Sequence, residues 1–145
     1  MGKKIILLLI ILLLYGCSEK TKFEYETGEV VLGDITVNVE IADTYDKVMF
    51  GLMEREKLGE FEGMLFIFSD EEPRTFWMKN TLIPLDIIFI NSDFEIVKIQ
   101  HAVPCEEDPC ELYPSEEPAK FVVEVNEGFS EEHGVDKGMK AEINY

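Results

Sequence analysis

Between Asp34 and Ile41 the chain alternates without a break. Ile35, Val37, Val39 and Ile41 fall on one parity, and Asp34, Thr36, Asn38 and Glu40 on the other. A period of two fits a pleated strand with one buried face and does not fit a helix. Further strand-like runs follow at Gly63 to Phe68, Thr75 to Lys79, Leu85 to Ile90, Phe94 to Val103 and Phe121 to Val125, where Phe121, Val123 and Val125 share a side. A last strand after Gly138 runs through Ile143. Turn chemistry separates them: Pro73 closes one run, Pro84 kinks another, and Asn91-Ser92-Asp93 turns Leu85–Ile90 into a hairpin. Leu85 to Ile90 is apolar on both parities apart from Asp86, as a central strand covered on both faces requires. Two short helices interrupt the strands. Asp43 or Thr44 caps the first, in which Tyr45, Val48 or Met49, and Leu52 share a face weakened by Gly51; Ser130 as N-cap and Gly134 as C′ bracket the second. The pattern predicts a mainly β fold: a single compact, mostly antiparallel sandwich or barrel with two short helices.

The N-terminus reads differently. Lys3 and Lys4 precede ten apolar residues, Ile5 to Leu14, and then Tyr15-Gly16-Cys17. A bilayer core needs roughly 20 apolar residues, so residues 1–16 read as a signal segment and not as a transmembrane helix. The stretch "LLYGCSEK" resembles a lipoprotein signal, with cleavage before Cys17 and acylation of that residue; plain secretion is the alternative. Residues 17–29 then form a polar tether and residues 30–145 the β domain. The expected location is the extracytoplasmic face of the envelope, lipid-anchored or secreted. Removing Lys3 and Lys4 leaves 11 basic residues against 30 acidic, a net charge near −19. Such a surface excludes nucleic acid and anionic lipid as default partners; the acidity reads first as an adaptation for solubility, with cationic partners as the second reading.

Taken in order, "VEIADTYDKVMFGLMERE", "EGMLFIF", "FWMKNTLIPLDIIFI", "PCEEDPC" and "KFVVEV" closely resemble the DUF192 family, a domain of unknown function in bacteria and archaea that often follows an export or lipoprotein signal. The resemblance runs from about Val30 to Ile143, and "FWMKNT" followed by "PLD" is its most distinctive part. It implies a small β-rich, jelly-roll-like domain and implies no activity. The heavy acidity of Cys105 to Glu117 departs from the pattern.

The polar residues inside "FWMKNTLIPLDIIFI" are the candidate site. Asp86 starts a run apolar on both faces, and a buried carboxylate needs a cation or several N–H donors. Arg55 and Lys79 are the natural partners. In a scaffold reading Asp86 pairs with one of them, Asn80 satisfies a bend before Pro84, and Trp77 is core. In a binding reading Trp77, Lys79, Asn80, Asp86 and Arg55 line one cleft for an envelope ligand or protein, an aromatic platform beside amide and charged groups. An enzymatic reading rests on an Asp86–Lys79 pair.

Other chemistry is thinner. His101 shares parity with Val97, Ile99 and Val103 and reads as a core histidine; His133 reads as a capping or surface residue. There is no G-x-S-x-G elbow and no H-x-x-x-H spacing. Cys105 and Cys110 form a disulfide loop or, less simply, half of a metal site. Met49, Met53, Met64 and Met78 suit Cu(I) in principle but read as core filling, and the six acids from Glu106 to Glu117 read as a solvated run and not as a calcium loop. No cofactor is implied.

Overall fold

The computed structural model describes residues 23–145; Cys17 and the signal segment lie outside them. Seven strands and two short helices follow one another: β1 (Thr27–Leu32), β2 (Ile35–Ala42), α1 (Tyr45–Phe50), β3 (Glu62–Trp77), β4 (Leu85–Ile90), β5 (Ile96–Ala102), β6 (Leu112–Asn126), α2 (Phe129–His133) and β7 (Ala141–Asn144). They form one curled, half-barrel sheet in the order β5-β4-β6-β3-β2-β1-β7. The curl brings its two edges together at one corner. Glu95 bridges Lys140, Ile96 N donates to Met139 O, and Ala141 N donates to Phe94 O.

Both faces of the sheet are buried, each by its own cluster. Inside the curl sit Val30, Val37, Leu65, Ile88, Ile90, Val123, Val125 and Phe129. On the outside, Met64, Phe66, Leu85, Ile87, Phe89 and Val122 pack under Leu52 and Met78. Strand β4 therefore feeds two cores, and all six of its residues are buried, Asp86 among them.

Local chemistry places several boundaries as expected. Thr44 Oγ1 accepts from Lys47 N at the start of α1, and Gly51 ends that helix with φ of 51°. Asn91 Oδ1 accepts from Asp93 N and Glu95 N, closing the β4–β5 hairpin. The sheet is mostly antiparallel, as expected, with β2 pairing β3 in parallel. Other expectations need correcting. Pro73 does not end a strand: β3 runs through it with a register shift and sets it opposite Pro118, a pairing that asks neither proline for an N–H. Gly128, not Ser130, is the N-cap of α2. Extended pairing starts at Thr27, inside the stretch read as tether. Met49 is exposed, whereas Met64 and Met78 fill the outer cluster.

Close approach of β3 to β6 depends on Gly63. A Cβ there would lie 2.5 Å from the Glu124 carbonyl oxygen.

Candidate functional site

The five expected site residues do not line one cleft. Trp77, at the end of β3, is 42% exposed and is the only one of the five that lines a groove between α1 and β3. Arg55 pairs with Glu40 and lines a separate acidic cleft with Glu29 and Glu62. Lys79 reaches the Cys105–Cys110 loop, its Nζ 2.7 Å from Asp108 Oδ2. That pair is half in solvent and contributes on the order of 0.5 kcal/mol.

Asn80 has φ of 55°, and its carbonyl accepts from Glu54 N at 2.9 Å. Its role is backbone conformation: a short polar side chain tolerates the left-handed region that a β-branched one resists. Asn80→Gly is expected to leave thermal stability nearly unchanged and Asn80→Val to cost about 2 kcal/mol in chemical denaturation. Equal losses in the two variants would show that the amide, not the backbone, is what matters.

Asp86 is fully buried, but neither Arg55 nor Lys79 reaches it. Ser130 N donates to Oδ2 at 2.8 Å, Gly128 N donates to Oδ1 at 3.2 Å, and His101 Nδ1 lies 2.7 Å from Oδ1. His101 stands directly opposite Asp86 across the β4–β5 pair and is not a core histidine: 61% of its side chain is exposed. The carboxylate fixes the ring with its other nitrogen outward, in an open cleft with Lys98, Ser130 and Lys137. An Asp86–Lys79 acid–base pair therefore has no geometry behind it. His133 packs against the Phe129 and Phe61 rings.

Cys105 and Cys110 are bonded, with Cα atoms 5.3 Å apart. Asp108 lies close to both sulfurs, but a disulfide has no thiolate to give a metal, so this cluster is no metal centre. Closing so short a loop contributes about 2 kcal/mol.

The groove is a largely apolar concavity. It encloses about 650 Å³ between α1 and β3, and Tyr45, Met49, Trp77 and Leu112 leave large exposed surfaces around it. Its charged rim consists of Asp43, Asp70 and Arg74; Arg74 is tied to Asp70 at 2.6 Å and lies over the Phe68 ring. A smaller cavity of about 30 Å³ adjoins it and shares Val48, Met49, Phe76 and Trp77. Into this cavity projects a residue that sequence reasoning missed, Glu124 of β6. It is 5% exposed, and burial alone pushes its carboxyl up to about 8, so it is protonated at neutral pH. A lone acid within "FVVEV" was the available signal.

Sheet order, the parallel β2–β3 step and the disulfide-closed loop define a small half-barrel β domain. The chain belongs to the DUF192 family, described as an uncharacterized ACR, which it matches over residues 29–143. A solved protein from Sinorhizobium meliloti 1021, provisionally assigned as a transcription regulator, is 33% identical with a TM-score of 0.77, covering 85% of this chain and 98% of its own. A protein of unknown function from Novosphingobium aromaticivorans DSM 12444 is 34% identical with a TM-score of 0.75, covering 86% and 89%. No curated protein matches the chain.

Proposed function

We propose that the domain is an extracytoplasmic binding module, held to a membrane through acylated Cys17, that takes a small and largely apolar ligand in the α1–β3 groove. One observation carries the reading: Tyr45, Met49, Trp77 and Leu112 expose large apolar surfaces around a single concavity. Clustered exposure of this kind is costly in water and marks binding surfaces, and about 650 Å³ falls within the range of small-molecule pockets. The Cys105–Cys110 bond supports an oxidising compartment. The regulator assignment of the Sinorhizobium relative finds no support, because a chain of net charge −17 offers nucleic-acid phosphates little counter-charge.

Trp77 is the chain's one tryptophan, so its emission reports on the groove. Titration with 2-phenylethanol is expected to shift that emission and the amide resonances of Tyr45, Met49 and Leu112. Leu112→Asp is expected to weaken this binding about tenfold or more while leaving stability nearly intact, since Leu112 is 60% exposed. Resonance changes confined to another face, or binding indifferent to Leu112→Asp, would remove the groove from consideration.

A further inference from the structure

Glu124 is an unusual residue to find in the middle of a central strand. Its backbone pairs with Met64 of β3 on one side and Ile87 of β4 on the other. Parity sends its side chain outward with Val122, away from the interior of the curl. There α1 and the segment beyond it cover the sheet, so the carboxyl ends beneath Val48, Met49, Phe50, Leu52 and Met53, beside Thr81 and Trp77. Among the described residues no hydrogen bond or ion pair reaches it, although Asp86, also a buried acid, has three partners. Among the described residues that line the cavity, Glu124 alone is titratable or charged.

A buried, unpartnered carboxyl costs several kcal/mol against an apolar residue of similar shape. A fold that only needed to fill this space would be more stable with Leu or Met, and both types already surround it. The cavity beside the acid is about 30 Å³. One water-sized group needs roughly 10–15 Å³, so there is room for a single small polar head and not for a planar guanidinium or a carboxylate-sized group.

We infer that the Glu124 cavity is the polar end of the groove and receives the primary ammonium group of an amphipathic amine, whose apolar body lies along Trp77, Met49 and Leu112. The inference rests on the groove reading and adds the ligand's chemical class. Three observations carry it. Among the described residues the acid has no partner of its own. The cavity has the size of an ammonium head. The two spaces share Trp77, Met49, Val48 and Phe76, so one short ligand reaches both. The protein's acidity favours the same sign of ligand, as do Asp43 and Asp70 on the rim.

Binding has a proton balance. Below about pH 8 the free protein holds Glu124 as the neutral acid, while an aliphatic amine, with a pKa near that of lysine at about 10.4, is already an ammonium ion. Forming the ammonium–carboxylate pair therefore expels one proton from Glu124 to the buffer. Apparent affinity falls roughly tenfold per pH unit below the carboxyl's pKa and levels off above it. A neutral ligand of the same shape needs no such release.

The test compares 2-phenylethylamine with its neutral isostere 2-phenylethanol on the intact protein, by calorimetry in phosphate and in Tris and by Trp77 emission. The amine is expected to bind at least tenfold more tightly than the alcohol at pH 8. Its apparent enthalpy at pH 7 should differ between the two buffers by the release of about one proton, and the alcohol's should not. Glu124→Gln is expected to abolish the preference and the proton release while retaining alcohol binding. Equal affinity for the two probes, no proton release in the parent protein, or a preference that survives Glu124→Gln would each overturn the amine inference and leave the groove reading standing. If neither probe moves Trp77 emission, both fall together.

Discussion

Asp86→Ala is expected to lower unfolding free energy by about 3–5 kcal/mol, the largest loss of any single polar substitution in the domain. The estimate follows from what the carboxylate satisfies. Gly128 N and Ser130 N, at the start of α2, both donate to it, and among the described residues neither has another acceptor. Removing the acid strands these donors in a buried place, at about 1–3 kcal/mol each, and frees His101 from its anchor. Asp86→Asn is expected to do little better, because its NH₂ group would face the backbone N–H of Gly128 or Ser130. His101→Ala removes only the exposed partner and is expected to cost about 1 kcal/mol. Urea denaturation decides the matter: a loss below about 1 kcal/mol for Asp86→Ala would show that water replaces the carboxylate cheaply.

Glu124→Gln is expected to stabilise the domain at pH 8 and above by on the order of 2–5 kcal/mol, and to change little at pH 4.5. The direction follows from proton counts. Unfolded, Glu124 titrates near its ordinary 4.5; folded, it titrates at about 8. Between those values the folded chain binds the extra proton, so parent stability falls as pH rises through this window and the full penalty is present above 8. Below 4.5 the acid is neutral in both states and the penalty disappears. Denaturant midpoints of parent and variant measured from pH 4.5 to 9 should therefore diverge upward. Parallel curves would mean that the carboxyl relaxes into water when ionised.

Much of the fold was legible because its determinants are local. The buried parity of β4, the Thr44 cap, the Asn91 turn and the cysteine pair each involve residues a few positions apart. The partner of Asp86 was nearly legible as well. Regular counting outward from the Ile90–Ile96 pair sets Gln100 opposite it, and one irregularity between Phe89 and Ile90 shifts the register to His101. What escaped was non-local. Alternation along β6 marks Glu124 as outward-facing, which in a one-sided sheet would mean solvent; only α1 and the Leu52–Met53 segment, far away in sequence, turn that side into a second interior. The parallel β2–β3 pairing and the passage of β3 through Pro73 likewise depend on partners that no short window contains. The candidate site moved for the same reason. Trp77 keeps its place beside a concavity, while Lys79, Asn80, Asp86 and Arg55 answer to four different neighbours.

The pairing of β1 with β7, which sets Val30 against Ile143 and Leu32 against Ala141, also constrains the order of folding. A chain emerging N-terminus first can form the β1–β2 hairpin at once, but β1 keeps an open edge until the last strand arrives. The corner that joins Ile96 to Met139 waits for the same event. Contacts of such long sequence separation place this domain among slow folders. Until then the exposed edge of β1 is a template for wrong pairing. The last four-residue strand thus acts as a latch, closing the edge that β1 leaves open until synthesis is nearly complete.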